Sequence, residues 1–137
     1  MSKRSVQRSI EINAPASKVW QVFTDPLTTR QMGGEYVSDW KVGSAFGWKA
    51  PDGKMLTNGT ILEIDPERLL KHNLLNPDAT VISVITSELR GQNVRTILHA
   101  SEHFMNPVND KEYAEAVEGW DAALISLKAV AEKNLNS

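Results

Sequence analysis

The C-terminal part of the chain carries the clearest pattern of apolar and polar positions. Over residues 109–135, apolar residues recur at steps of three and four, the spacing that forms one stripe along an α-helix. The stripe consists of Tyr113, Val117, Trp120, Leu124, Leu127 and Ala131. Asn109 and Glu112 have the spacing of a capping box, which marks the start of the helix. A helix this long with one apolar side needs a broad apolar surface to pack against.

Most of the remaining chain alternates apolar and polar residues in short runs separated by turn residues, which is typical of β-strands. The first run covers residues 6–12, and one of its faces carries Val6, Arg8, Ile10 and Ile12. Further strands are predicted at residues 35–40, 44–50, 55–64, 69–75, 81–89 and 94–104, with residues 105–108 as a link to the long helix. We interpret Asn58-Gly59 as a bulge within its strand.

Short helices are expected between the first strand and the others. The apolar spacing of Val19, Trp20 and Phe23 indicates one, and residues 27–32 indicate a further turn or two. Because the later strands follow one another at hairpin distance, their sheet must be antiparallel. The pattern therefore predicts an α+β fold, in which a curved antiparallel sheet of about six to seven strands covers its apolar face with the long C-terminal helix.

Composition narrows the classes of function. The 137 residues favour one domain, 1–137, with a net charge of −2 and both signs mixed along the chain. We find no basic block for nucleic acid, no polybasic segment for a membrane surface, and no apolar run near the ~20 residues that span a bilayer. The basic N-terminus runs into alternating residues rather than a continuous apolar segment, so we expect no export signal and a cytoplasmic location. The absence of cysteine excludes disulfides, thiolate catalysis and cysteine zinc sites.

The candidate chemistry lies mainly on the last predicted strand. His99 and His103 share one face, which we expect to face solvent without a third metal ligand, so neither a metal nor another cofactor is predicted. Glu102 points the opposite way. It either lies on the inner face, where it could hold a ligand or act as a general base, or is turned outward by a bulge. His72 alternates with leucines and could face inward, and Arg8 could pair with Glu102 or extend to the sheet edge.

Four stretches in order along the chain carry a resemblance to a known family. They are residues 10–20 (IEINAPASKVW), Trp40 with 42–44 and the Phe46/Trp48 strand, residues 59–69 (GTILEIDPERL), and residues 118–127 (EGWDAALISL). In this combination the chain resembles the START-like helix-grip superfamily (SRPBCC), which includes Bet v1-like folds. Within the superfamily it is most similar to the AHSA1-like domain family, named after the activator of the Hsp90 ATPase. Independently of the resemblance, Gly119 inside a helix costs roughly 1 kcal/mol relative to alanine, and we expect the reason to be close approach to a strand beside Trp120.

The resemblance implies an apolar cavity between the sheet and the long helix. The residues of this chain that suit its wall are Trp40, Phe46, Trp48, His72, Leu98, Glu102, Trp120 and Leu124. Met32, Met55 and Met105 could fill irregular space there. The alternative is that all of these side chains close-pack an ordinary core.

Three hypotheses of function follow from these residues and the resemblance. The first is a non-enzymatic domain that binds a small apolar or amphipathic molecule. The second is a protein-interaction module, such as a cofactor of an Hsp90-type chaperone, supported by Ile125 on the polar side of the helix. The third is a cyclase- or hydrolase-like enzyme that uses Glu102 or His72, although no GxSxG, P-loop or GxGxxG motif is present. An exposed edge strand could also support a homodimer.

Overall fold

A computed structural model describes residues 3–134. Over these residues the chain forms seven strands, three α-helices and one 3₁₀ turn. The order is β1 (Lys3–Ile12), α1 (Ala16–Thr24), α2 (Pro26–Thr29), the 3₁₀ turn (Arg30–Met32), β2 (Glu35–Ser38), β3 (Ala45–Lys49), β4 (Gly59–Asp65), β5 (Leu69–Leu75), β6 (Val81–Gln92), β7 (Arg95–Val108) and α3 (Asp110–Lys133).

All strands belong to one antiparallel sheet with the order β1-β7-β6-β5-β4-β3-β2. The chain moves along the sheet by hairpins from β2 to β7, and β1 completes it beside β7. The helices α1 and α2 fill the connection between β1 and β2, and α3 packs against β1 and α1. The predicted α+β helix-grip fold is confirmed.

The core lies between the inner face of the sheet and the C-terminal half of α3. Ile12, Ile61, Leu70 and Leu98 are fully or almost fully buried on the sheet, opposite Leu124, Leu127, Val130 and Ala131 of the helix. The N-terminal half of α3 is less covered, since Tyr113, Val117 and Trp120 are only half-buried. The helix therefore closes on the sheet at one end and stands away from it nearer the other.

The predicted capping box of α3 is confirmed. The side chain of Asn109 accepts from the backbone N–H of Glu112 at 2.8 Å, and the Glu112 carboxylate accepts from the backbone N–H of Asn109 at 3.0 Å. Leu135, where the predicted helix ends, lies outside the described residues. The explanation offered for Gly119 is wrong, because a Cβ at this exposed position would have no neighbour within 4 Å.

The prediction for residues 55–64 is wrong in its first half. The strand begins at Gly59 rather than containing a bulge there, and a single bridge links Lys49 to Met55 before it. Across the loop, the backbone oxygen of Trp48 accepts from the N–H of Leu56 at 2.8 Å, and the backbone N–H of Trp48 donates to the hydroxyl oxygen of Thr57 at 2.9 Å. These contacts replace a regular ladder of backbone hydrogen bonds, so the pairing of β3 with β4 is confined to the first two residues of each strand.

The last hairpin is longer than predicted. β6 continues to Gln92 and pairs with Arg95, so the turn is shortened to Asn93 and Val94. The predicted link over residues 105–108 is also strand, because β1 extends back to Lys3 and pairs with Val108. β2, in contrast, ends early, and Trp40 adopts a φ of 57° that is incompatible with an extended strand.

Candidate functional site

A cavity of about 430 Å³ opens to solvent between the sheet and the middle of α3. It occupies the region where the helix stands away from the strands. Its wall consists of Met32, Tyr36, Phe46, Trp48, Thr57, His72, Leu74, Ile85, Trp120, Ala122, Ala123 and Ser126. None of these lining side chains is an acid, a lysine or an arginine. The cavity is thus apolar, with a few uncharged polar groups.

Aromatic rings in mutual contact form one side of the cavity. Tyr36 lies at their centre, stacked against Phe23 and Phe46 with centroid distances of 5.5 and 5.4 Å. Trp48 meets the Tyr36 ring edge-on at 4.8 Å. The imidazole of His72 lies 4.0 Å from the Phe46 centroid. Rings packed in this way form a continuous aromatic wall on this side of the cavity.

His72 is a neutral residue of this wall, and one of its two ring nitrogens is a hydrogen-bond acceptor without a partner among the described residues. Its side chain is buried, and burial lowers its pKa from 6.5 to about 4, so the imidazole is neutral near neutral pH. The ring nitrogen Nδ1 lies 3.2 Å from the backbone oxygen of Asn73. Because a carbonyl oxygen only accepts, Nδ1 carries the proton and Nε2 carries a lone pair.

Some polar atoms without a hydrogen-bond partner in residues 3–134 belong to residues that line the cavity. Among the described residues, every enclosed polar side-chain atom has a hydrogen-bond partner. Nε2 of His72 and the hydroxyl of Tyr36 have none within that part of the chain, so both must be accessible, and both residues line the cavity. Burial raises the pKa of Tyr36 to about 12, so its hydroxyl stays protonated and uncharged.

A smaller inner cavity of about 40 Å³ continues towards the core. Leu98 and Leu124 line it, while Tyr36, His72 and Trp120 belong to both cavities. Trp120 therefore stands at the junction between the open cavity and the packed interior.

Glu102 fixes the position of that tryptophan. The indole Nε1–H of Trp120 donates to one carboxylate oxygen of Glu102 at 2.9 Å, and the hydroxyl of Ser83 donates to the other at 2.7 Å. The alternative in which a bulge turns Glu102 outward is wrong, since Glu102 continues the inward alternation opposite Val6 and Ile85. It lies behind the cavity wall instead of lining it.

Arg8 has a different partner from the one suggested. Its guanidinium pairs with both carboxylate oxygens of Asp121 on α3, at 2.7 and 3.0 Å. This pairing raises the pKa of Arg8 further and joins the edge strand to the long helix. Because both side chains are more than 40% exposed, solvent screens this pair and its contribution to stability is small.

The structure brings together most of the residues predicted from sequence. Four line the open cavity, namely Phe46, Trp48, His72 and Trp120, and Leu98 and Leu124 line the inner one. Trp40 lines neither and packs edge-on against Phe46 at 5.7 Å. Of the methionines, Met32 lines the cavity, whereas Met55 and Met105 are 40% and 39% exposed elsewhere.

Tyr36 was not predicted. It lies at the centre of the aromatic wall and carries one of the accessible polar groups. Its alternation with Ser38 and Trp40 along the same predicted strand was the available signal.

The histidines of β7 lie away from this site. His99 and His103 are on the outer face of the sheet, where Nδ1 of His99 is 2.5 Å from the hydroxyl of Ser9. No group of three potential metal ligands occurs within residues 3–134. Within the same range, no helix has both the length and the apolar character needed to cross a membrane.

Comparison with known proteins gives a family and a fold. The family model described as activator of Hsp90 ATPase homolog 1-like protein matches residues 13–132. No curated protein sequence is detectably similar to the chain.

Solved structures agree with the family match. A protein from Mesorhizobium loti superposes with a TM-score of 0.79 at 21% identity, over 96% of this chain and 98% of its own. A solution structure from Cytophaga hutchinsonii superposes with a TM-score of 0.76 at 26% identity, over 100% of this chain and 99% of its own. The Aha1 dimer from Colwellia psychrerythraea superposes with a TM-score of 0.77 at 17% identity, over 95% of this chain and 97% of its own.

Proposed function

Since this chain belongs to the family of activator of Hsp90 ATPase homolog 1-like proteins, with a helix-grip fold, we propose that it binds a small apolar or amphipathic molecule without transforming it. The binding place is the open cavity between the sheet and α3. The observation that carries this proposal is the combination of about 430 Å³ of space, an aromatic wall and a lining to which residues 3–134 contribute no acid, lysine or arginine. Small-molecule sites are typically apolar cavities of ~300–1,000 Å³ with a few polar groups.

The arrangement of acids and bases supports binding over catalysis. Glu102 is already engaged by Trp120 and Ser83 and lies behind the wall, so it is poorly placed to abstract a proton from a ligand. His72 has a pKa of about 4, which makes it a weak base at neutral pH.

The proposal is tested by filling the cavity from the helix. Ala123 is exposed on α3 and lines both cavities, so Ala123→Trp places a large ring in the ligand space without cutting into the core. Ala129→Trp is the matched control, because Ala129 is exposed on the same helix and lines neither cavity. The probe is N-phenylnaphthylamine, a neutral molecule whose fluorescence rises in apolar surroundings.

We expect wild type and Ala129→Trp to bind the probe, and Ala123→Trp to lose at least tenfold in affinity while keeping its melting temperature. Equal binding by all three proteins would place the probe elsewhere and contradict the proposal.

A second candidate is a role in protein interaction, and one exposed residue favours it. Ile125 is 61% exposed on the outer side of α3, where an isolated large apolar side chain could contact a partner. The Colwellia psychrerythraea relative is described as a dimer. We therefore propose a second copy of this chain or an Hsp90-type chaperone as the alternative partner.

Analytical ultracentrifugation and chaperone pull-down of wild type and Ile125→Lys test this alternative. A monomer with no capture above background would refute it.

A further inference from the structure

We propose that the cavity selects ligands that carry a hydrogen-bond donor, such as a hydroxyl group on an aromatic ring, and that it rejects anions. This inference rests on the proposed ligand-binding function and names the chemical class that the same cavity takes. It follows from the polar atoms of the wall and from what the wall lacks.

The requirement for a donor comes from His72. Its Nδ1 is committed to the backbone oxygen of Asn73, so the accessible Nε2 can only accept. A ligand that covers Nε2 without donating to it removes that nitrogen from water and leaves it unpaired, which is unfavourable. A ligand hydroxyl placed against Nε2 avoids this loss.

The other accessible polar groups suit the same hydroxyl. The Tyr36 hydroxyl can donate and accept, and it lines the same two cavities as His72. The hydroxyl of Ser126 and the indole Nε1–H of Trp48 also line the open cavity and have no hydrogen-bond partner among the described residues. These groups offer further hydrogen bonds to a ligand that enters the same cavity.

The selection against anions comes from the absence of a counter-ion in the wall. Among residues 3–134, no arginine or lysine lines either cavity, and Tyr36 is the titratable residue that lines both of them beside His72. The nearby cations Arg30 and Lys49 are paired with Glu35 at 3.4 and 3.1 Å in a separate surface depression. A carboxylate entering the cavity would lose its water without gaining a positive partner.

The test compares ligands that share one ring system. Naphthol carries a donor, methoxynaphthalene keeps the oxygen without the donor, naphthalene has neither, and naphthoate is an anion at neutral pH. Each is titrated against bound N-phenylnaphthylamine in wild type and in His72→Phe. We expect wild type to bind naphthol about tenfold more tightly than methoxynaphthalene, the value of one net hydrogen bond. Naphthoate should compete least, and in His72→Phe the preference for naphthol should disappear.

The outcomes separate this inference from the function on which it rests. Equal affinity of wild type for naphthol and methoxynaphthalene overturns the donor requirement while leaving ligand binding intact. Competition by naphthoate as strong as that of naphthol overturns the selection against anions. Failure of every compound, including naphthalene and the fluorescent probe, overturns the ligand-binding function and this inference with it. The wild-type series decides these points even where His72→Phe does not fold.

Discussion

Acidification should destabilise the folded protein through His72, because this imidazole is held uncharged in the cavity wall. Burial lowers its pKa from 6.5 to about 4, so between these pH values the unfolded chain binds a proton that the folded chain does not. Stability is fully retained above pH 6.5 and falls as the pH drops towards 4. At about 1.4 kcal/mol per pH unit, the loss reaches about 2 kcal/mol near pH ~5 and about 3 kcal/mol near pH ~4.

Urea unfolding of wild type and His72→Phe across this pH range measures the effect. Phenylalanine keeps a flat ring beside Phe46, which lies 4.0 Å away in the present packing, and removes the titration. Every other titrating group is common to both proteins, so the difference between the two stability curves isolates His72. We expect that difference to change by about 3 kcal/mol between pH 6.5 and 4. Parallel curves would refute the reasoning, because they would mean that His72 takes up its proton equally well in the folded chain.

Three further substitutions test the framework around the cavity. Gly59→Ala should lower the free energy of unfolding by about 3 kcal/mol, because its Cβ would lie 1.9 Å from the backbone oxygen of Asn73; a variant as stable as wild type would show that the two strands do not approach so closely. Asn109→Ala should cost about 1 kcal/mol in thermal unfolding by removing the cap of α3, whereas Asn109→Asp should retain most of it. Glu102→Ala should cost about 1–3 kcal/mol and shift the NMR signal of the Trp120 indole N–H, which loses its acceptor; an unmoved signal would contradict the contact.

The fold was predictable because its signals are local and repeated. Hairpin-length turns between alternating strands identified β5, and the capping box placed the start of α3. The errors arose where a contact distant in sequence decides the conformation. Gly59 begins a strand because it passes against the backbone of Asn73, and residues 105–108 are strand because Lys3 extends far enough to pair with Val108. The alternation of apolar and polar residues within one segment does not indicate which distant segment will pack against it.

The candidate site was predictable in its residues but not in its geometry. Periodicity indicated that Phe46, Trp48 and Trp120 face inward, yet it could not separate a packed core from an open wall. That distinction depends on where α3 leaves the sheet, which is set by burial of Leu124 and Leu127 near its C-terminal end. The tautomer of His72 could not be predicted from the sequence pattern either, because it depends on a single contact with a backbone oxygen.

Native mass spectrometry with β-naphthol tests most directly whether the cavity takes a small neutral molecule. Wild type, Ala123→Trp and Ala129→Trp are each measured as purified and after addition of an excess of the compound. We predict one bound molecule per chain for wild type and Ala129→Trp, lost on denaturation, and none for Ala123→Trp. Wild-type protein that stays bare at every concentration, or an adduct that Ala123→Trp retains in full, would contradict ligand binding in this cavity.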